Sequence, residues 1–255
     1  MKTLLIGNGY WGSIVRSKLI TQTDLLYVAN SKDNIDDILN KFDVDYVFVC
    51  TPTDTHYDIV KKCLNHHKNV FCEKPFTGDF DKAKELYEIS EKNNVNIFVD
   101  NIFLYRYEFI NIQNTTFSNI KFIWNKYENI FNENLLNRLL YHDLYLLLNL
   151  SNNGWNIKSC NIFDDRLSLS LINNNLTSEF NYNRSCKDKK EKILILDNQI
   201  IDFSEPLNDP LSEIINNLQN NNVDFEVNKN ITLNTIKLLN KIQNECLLHT
   251  SRHIK

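Results

Sequence analysis

Near the N-terminus the residues Gly7-Asn8-Gly9-Tyr10-Trp11-Gly12 spell G-x-G-x-x-G between a β-rich run, residues 3–6, and a segment with helical spacing. Those residue types at that spacing suit the holding of a diphosphate. Gly7 permits a tight turn, Gly9 lets the backbone approach the anion, and Gly12 lets the helix lie against the strand. Free N–H groups and the positive end of the helix then face the negative charge. The motif takes three of only five glycines in the chain, which sets it apart from a merely tight strand-to-helix turn.

The second β-rich run closes on Val28-Ala29-Asn30-Ser31-Lys32, with no acid at its tip. An acid there would take the ribose hydroxyls of NAD. Asn30 and Ser31 suit hydrogen bonds to a 2′-phosphate and Lys32 its neutralisation, a lean towards NADP. An Asn also holds a 2′-hydroxyl, so NAD stays open, and Asp33 stands one or two residues late for the ribose role. Two later strand ends carry polar groups: Cys50-Thr51-Pro52-Thr53-Asp54-Thr55-His56-Tyr57 and Cys72-Glu73-Lys74-Pro75-Phe76. In an open α/β sheet ligands lie beyond the carboxyl ends of the strands. Glu73 and Lys74 are therefore expected at the mouth of a cleft. A lysine there stabilises negative charge developing on a substrate oxygen; an ordinary surface lysine is the competing reading. Farther on, Arg138, His142 and Tyr145 share one helix face by i+4 and i+3 spacing. His142 suits proton exchange near neutral pH, with a packed core histidine as the plain alternative.

The elements that must position these groups alternate regularly. β-rich runs at residues 3–7, 25–29, 46–50, 69–73 and 96–100 are separated by helical spacing at 12–20, 33–40, 55–66 and 79–93. That alternation implies a parallel sheet covered on both faces, doubly wound by right-handed crossovers. Asp54 or Thr55 is expected to cap the third helix and Asp79 the fourth. After Asp100 the pattern changes. A bridging stretch leads to a strand near 120–127, a helix over 133–150, strand-like runs at 157–163, 166–172, 176–182 and 192–196, and helices over 209–221 and 231–248. The expected fold class is α/β: a Rossmann domain over residues 1–101, then an α+β domain over 102–255 with a mostly antiparallel sheet.

Hydrophobic residues make up 42% and charged residues 24% of the 255 residues, an ordinary globular balance. The formal net charge of −4 gives no field that favours nucleic acid or an anionic membrane. The densest basic run, Lys187-Asp188-Lys189-Lys190-Glu191-Lys192, reads as an exposed turn before a strand. The six cysteines show no C-x-x-C and no Cys/His metal spacing, so no metal is expected. Their scatter suits reduced thiols in a cytoplasmic protein, with Cys50 and Cys72 as small core residues. No signal-peptide layout opens the chain, and no apolar stretch approaches the ~18 residues that span a bilayer.

Gly7–Gly12, Thr51-Pro52-Thr53-Asp54-Thr55-His56 and Glu73-Lys74-Pro75, in that order and spacing, resemble the glucose-fructose oxidoreductase, inositol dehydrogenase and rhizopine-catabolism family. The resemblance covers the N-terminal domain. Gly-Tyr-Trp-Gly and Phe103-Leu104-Tyr105 look most like members acting on nucleotide-linked sugars. It implies an NAD(P)-dependent oxidoreductase acting on a sugar or nucleotide-sugar hydroxyl or carbonyl. Gly7 to Gly12, Asn30 to Lys32, Thr51, Pro52, Thr53, His56, Glu73 and Lys74 would hold the cofactor. Lys74 would touch both substrate and nicotinamide, and Pro75 would follow a cis peptide bond. The His-Asp-Leu of similar enzymes matches His142-Asp143-Leu144, making Lys74 and His142 the catalytic residues. Asn101, Tyr105, Arg138, Tyr141 and Tyr145 would shape the substrate pocket. Two departures stand out: Arg138 occupies the place of an acid, and Asn101 the place of a histidine. Arg138 would favour neutral His142 and bind an anionic group such as a sugar carboxylate or phosphate. The family also implies a homo-oligomer, dimer or tetramer, through the open face of the C-terminal sheet. A dinucleotide-binding sensor or assembly subunit without catalysis is the second reading.

Overall fold

The computed structural model describes residues 1–127, 135–151 and 154–250. The chain divides into two compact units, the first formed by Met1–Tyr105 with Asp209–Ile236, the second by Arg106–Asn208 with Lys237–Lys255. In the first, strand and helix alternate: β1 (Lys2–Ile6), α1 (Tyr10–Gln22), β2 (Asp24–Ala29), α2 (Ile35–Lys41), β3 (Tyr46–Val49), α3 (Thr53–Asn65), β4 (Asn69–Cys72), α4 (Phe80–Lys92) and β5 (Ile97–Val99). All five strands run parallel in the order β2-β1-β3-β4-β5. The chain steps outward from β1 to β2 and returns to the other side of β1 at β3, so the order reverses there. Leu4, Leu5, Val47, Phe48, Val49, Val70 and Phe71 are fully buried, as strands covered on both faces require.

The helix starts follow different local rules. Asp79 caps α4 by accepting the N–H groups of Asp81 and Lys82, as expected. The expected cap of α3 by Asp54 or Thr55 does not form. That helix starts at Thr53 directly after Pro52, with no side-chain cap. The Thr55 hydroxyl lies instead 2.7 Å from the Pro52 carbonyl and 2.8 Å from Thr51 Oγ1, and Pro52, with φ −59° and ψ 145°, stays outside the helix.

A 3₁₀ turn, Ile102–Tyr105, and α5 (Tyr107–Ile110) follow β5. The second unit holds a six-stranded sheet of β6 (Asn119–Asn125), β7 (Asn156–Ile162), β8 (Arg166–Asn173), β9 (Leu176–Asn183), β10 (Glu191–Leu196) and β11 (Gln199–Asp202), in the order β11-β10-β6-β9-β8-β7. β6 and β9 pair in parallel, and the other neighbours are antiparallel. The sheet is mixed and mostly antiparallel, as expected; β11 was not foreseen. Leu167, Leu169 and Leu171 on β8 are buried and alternate with Ser168 and Ser170. The helix expected over 133–150 begins with a π-helical turn, Leu136–Leu140, before α6 (Tyr141–Leu150); residues 133 and 134 lie outside the described residues.

The chain then closes with α7 (Pro210–Gln219) and α8 (Phe225–Thr250). α7 returns to the first unit, where Leu211, Ile214, Ile215 and Leu218 join Val15, Leu19 and Phe48 in one core. Gln219 donates to the Gln22 carbonyl at 2.8 Å. In the first turn of α8, Asn228 meets the backbone of the edge strand β5: its Nδ2 donates to Val99 O and its Oδ1 accepts from Val99 N, both at 2.9 Å. One amide side chain thus completes the ladder where no further strand pairs. The expectation of uniformly reduced cysteines needs correction, because Cys160 on β7 and Cys246 on α8 form a disulfide, Cα atoms 6.0 Å apart and 86 residues apart in sequence. Such long-range pairing leaves no local spacing to read. Cys50, Cys63 and Cys72 are free and buried.

Phe48, Phe71 and Phe98 are register partners on β3, β4 and β5 and stack with ring centroids 4.7 and 5.8 Å apart. Phe71 stands between the other two and is fully buried. Phe71→Ala should lower unfolding stability by about 3–5 kcal/mol, measured by urea denaturation.

Candidate functional site

Gly7 leaves β1 with φ +97°, and a Cβ there would collide with the Cys50 carbonyl. A Cβ on Gly12 would strike the Gly7 carbonyl, so the loop folds tightly against the start of α1. At Gly9 a Cβ would meet nothing within 4 Å; the protein itself does not demand glycine there. No side chain caps α1, and its first turn carries no acid. The loop borders a cleft of about 950 Å³ lined by Asn8, Gly9, Tyr10, Trp11, Asn30, Ser31, Asp33, Thr51, Pro52 and Thr55. An uncapped helix end, open space at Gly9 and a cleft of this size fit a dinucleotide diphosphate.

At the tip of β2 the sequence reading is incomplete. Asn30 turns its side chain onto the backbone of Lys32, accepting its N–H at 3.0 Å. Asp33 reaches back, accepting the Asn30 N–H at 2.7 Å and the Tyr27 hydroxyl at 3.2 Å. A carboxylate therefore lines the cleft at the strand tip, supplied from farther along the chain than the usual position.

Beyond β3 and β4, His56 is 1% exposed. Its Nδ1 lies 2.9 Å from the Pro75 carbonyl and its Nε2 2.8 Å from the Thr51 carbonyl. Burial lowers its pKa, opposed by those carbonyls; a neutral ring donates to one of them at a time. The structure thus turns His56 inward, between the two strand-end loops. Lys74 and Glu73 are half-buried at the end of β4, and the Lys74–Pro75 bond is cis. Asn101 is fully buried, its Nδ2 3.2 Å from Thr232 Oγ1, so it too faces inward. Tyr105 packs against Phe98, ring centroids 6.0 Å apart.

In the second unit, His142 lies on α6 with its Nδ1 3.0 Å from the Tyr145 hydroxyl. Tyr141 and Tyr145 are fully buried and meet edge to face at 5.9 Å. Arg138 falls in the π-helical turn, so the regular spacing assumed between it and His142 does not hold. Sequence reasoning missed a buried network beside His142. Asp143 is 1% exposed, accepts the Tyr182 hydroxyl at 2.5 Å and pairs with Lys192 Nζ at 3.2 Å. Lys192 Nζ sits 4.1 Å from the centre of the Trp124 ring, whose other neighbours include the His142 ring at 6.3 Å. Burial raises the Asp143 pKa while Lys192 and Tyr182 pull it down. Lys192 closes the basic run read as exposed, yet it is buried in phase with Leu194 and Leu196 on β10. That shared two-residue phase was the available signal. Among the described residues no group of His, Cys, Asp and Glu could hold a metal, and no helix is long and apolar enough to cross a membrane.

A parallel sheet whose order reverses beside a glycine loop and uncapped helix defines the first unit as a dinucleotide-binding Rossmann domain. Residues 16–101 match the model of the oxidoreductase family with an NAD-binding Rossmann fold. The match agrees with the resemblance drawn from the motifs: residues 16–101 are similar to the nucleotide-binding domain of the glucose-fructose oxidoreductase, inositol dehydrogenase and rhizopine-catabolism family. An uncharacterized oxidoreductase of Schizosaccharomyces pombe is 45% identical over 62 residues, 24% of this chain and 17% of that protein. The matched stretches span about a fifth to a third of the first curated relatives' lengths. Two solved structures share the fold across nearly the whole chain. UDP-N-acetylglucosamine 3-dehydrogenase GnnA from Acidithiobacillus ferrooxidans has a TM-score of 0.81 at 17% identity, covering 95% of this chain and 96% of that one. The WlbA dehydrogenase from Thermus thermophilus, in complex with NAD and UDP-GlcNAcA, has a TM-score of 0.81 at 11% identity, covering 94% and 93%.

The Asp143–Lys192 pair has a measurable signature. Lys192→Met strands a buried carboxylate and should cost about 3–5 kcal/mol in a urea melt. Adding Asp143→Leu to that variant should recover most of the loss, because it removes the uncompensated charge.

Proposed function

We propose that the protein is a nicotinamide-dependent oxidoreductase acting on a hydroxyl or carbonyl carbon of a sugar or nucleotide-sugar derivative. The observation that carries this reading is Lys74, in Glu73-Lys74-Pro75, at the carboxyl end of β4 in a sheet whose switch point lies beside a dinucleotide cleft. The nucleotide-sugar class is supported by the names of the two solved structures of like fold. When bound, the cofactor supplies the means to oxidise or reduce the substrate carbon. The loop at Gly7–Gly12 holds its diphosphate with backbone N–H groups and the positive end of α1. Thr51, Pro52 and Thr55, at the β3–α3 junction, border the cleft, whereas Thr53 is not among its lining residues. His56 acts as a positioning residue, tying the Thr51 and Pro75 loops together. Lys74 donates a hydrogen bond to the reacting oxygen and stabilises its developing negative charge. His142 carries the proton that the hydroxyl loses or the carbonyl gains, its ring oriented by the Tyr145 hydroxyl. Residues 1–101 serve the cofactor. Residues 102–255 serve the substrate and self-association as a homodimer or tetramer, apart from Asp209–Ile236, which packs with the first unit.

Against the lean that Asn30-Ser31-Lys32 gives towards NADP, Asp33 supports NAD. The Asp33 carboxylate accepts hydrogen bonds at the β2 tip and lines the cleft, where it would accept from a 2′-hydroxyl and repel a 2′-phosphate. The inward placement of Asn101 and the displacement of Arg138 favour the second reading, a sensor or assembly subunit that binds cofactor without turnover.

Fluorescence titration should find NADH bound at least ~10-fold more tightly than NADPH, about 1.4 kcal/mol, with Asp33→Asn narrowing the gap; tighter NADPH binding overturns the assignment. With a panel of sugars and nucleotide sugars, Lys74→Ala should abolish turnover while leaving NADH affinity within about threefold of the unmodified protein, under 1 kcal/mol. Unchanged turnover in that variant removes Lys74 from the mechanism. Intact NADH binding with no turnover across the panel in the unmodified protein selects the sensor.

A further inference from the structure

Two acids meet where β4 and β5 end side by side. Glu73 follows Cys72 and Asp100 follows Val99, and Cys72 and Val99 are register partners in the sheet. Asp100 is 1% exposed. Neither of its oxygens receives a regular hydrogen bond from an N–H or O–H of the described residues, and the buried Trp11 indole N–H nearby has no regular acceptor either. What faces Asp100 is the Glu73 carboxyl, whose Oε2 accepts the Lys74 backbone N–H at 2.8 Å. Two ionised carboxylates in contact away from water repel each other, and two acceptors form no hydrogen bond. A single proton between them removes both penalties.

We propose that Glu73 and Asp100 share one proton across the ends of β4 and β5, and that this bridge fixes Glu73 against the Lys74 amide, making Asp100 a positioning residue for Lys74. The second half rests on the oxidoreductase reading of Lys74; the shared proton does not.

The groups around the pair agree with this assignment. The charge on Lys74 draws both carboxyls towards ionisation, but burial outweighs it, raising Asp100 to about 6 and Glu73 well above the usual carboxylate range. Trp11, on α1, favours the ionised form of Asp100. Cys50 after β3 and Cys72 on β4 are pushed well up by burial and stay neutral thiols. Tyr105, in the turn after β5, is raised to about 12 by burial and then by Asp100. Lys74 is thus the one charge facing the pair from these elements, and a pair carrying one proton balances it with one negative charge.

Infrared difference spectra of the full chain near neutral pH should contain a protonated-carboxyl band that disappears in Asp100→Asn. Stability gives a second measure. The folded protein keeps protons that the unfolded chain releases above about pH 4–5. The pair's contribution is therefore fully present at low pH and is lost as pH rises through the folded values. Asp100→Asn donates the same bridge without titrating, so its Tm should gain several degrees on the unmodified protein between mildly acidic and mildly basic pH. Absence of the band, or a Tm difference that does not change with pH, overturns the shared proton. For the positioning role, the rate of Lys74 acylation by acetic anhydride should be preserved in Asp100→Asn and altered several-fold in Asp100→Leu, which cannot bridge. Equal labelling in both variants overturns the positioning role and leaves the proton bridge standing. Loss of the Lys74 mechanism in the turnover assay would overturn only the enzymatic reading.

Discussion

At Gly7 the chain turns out of β1 so close to the end of β3 that the Cys50 carbonyl occupies the place a Cβ would take, while Gly12 brings α1 against the Gly7 carbonyl. This packing joins two strand ends and a helix N-terminus within one turn of chain, and the rest of the first unit is arranged about it. The uncapped end of α1 stands at the strand tips because no side chain separates it from them. The Thr51 loop begins at the residue after Cys50, and His56 then links that loop to Pro75 through two backbone carbonyls. A substitution at Gly7 would displace the diphosphate loop and the base of the Thr51 loop together.

Asparagine side chains supply backbone-like contacts elsewhere in the same unit. Asn228 pairs with both polar groups of Val99, giving β5 a partner where a sixth parallel strand would otherwise be required. Asn101 reaches Thr232 two residues after β5. Both contacts span about half the chain and tie α8 to the strand that leads into Asp100. The asparagines of the chain thus include buried amides that close the sheet edge.

The alternation of apolar runs and helical spacing made the first unit legible almost throughout, because parallel strands covered on both faces are continuous apolar segments. The glycine loop was legible because each glycine answers a local steric demand or a ligand's. Asp33 was not: its role depends on a turn that brings it back to the β2 tip, and counting positions along an ideal strand gives it no place there. Lys192 was obscured for the opposite reason. It closes a basic run whose other members suit solvent, and only its phase with Leu194 and Leu196 marks it as buried. His56 and Asn101 have residue types common at active sites, but whether such a side chain faces a cleft or a neighbouring carbonyl is decided by tertiary packing.

The same physical problem, a carboxylate taken out of water, is met differently in the two units. Asp143 is held by a lysine and a tyrosine hydroxyl, which pull its pKa down against the rise that burial causes. That arrangement supplies a fixed cation and suits a scaffold. Among the described residues Asp100 forms no ion pair, and it faces another acid, so a proton serves where Asp143 has a lysine. A proton is exchangeable in a way that a lysine is not, and the site that uses one adjoins Lys74. Burial alone would favour two neutral acids, and Lys74 alone two ionised ones. The intermediate state, one proton for two carboxyls, is the one that matches the single positive charge beside them.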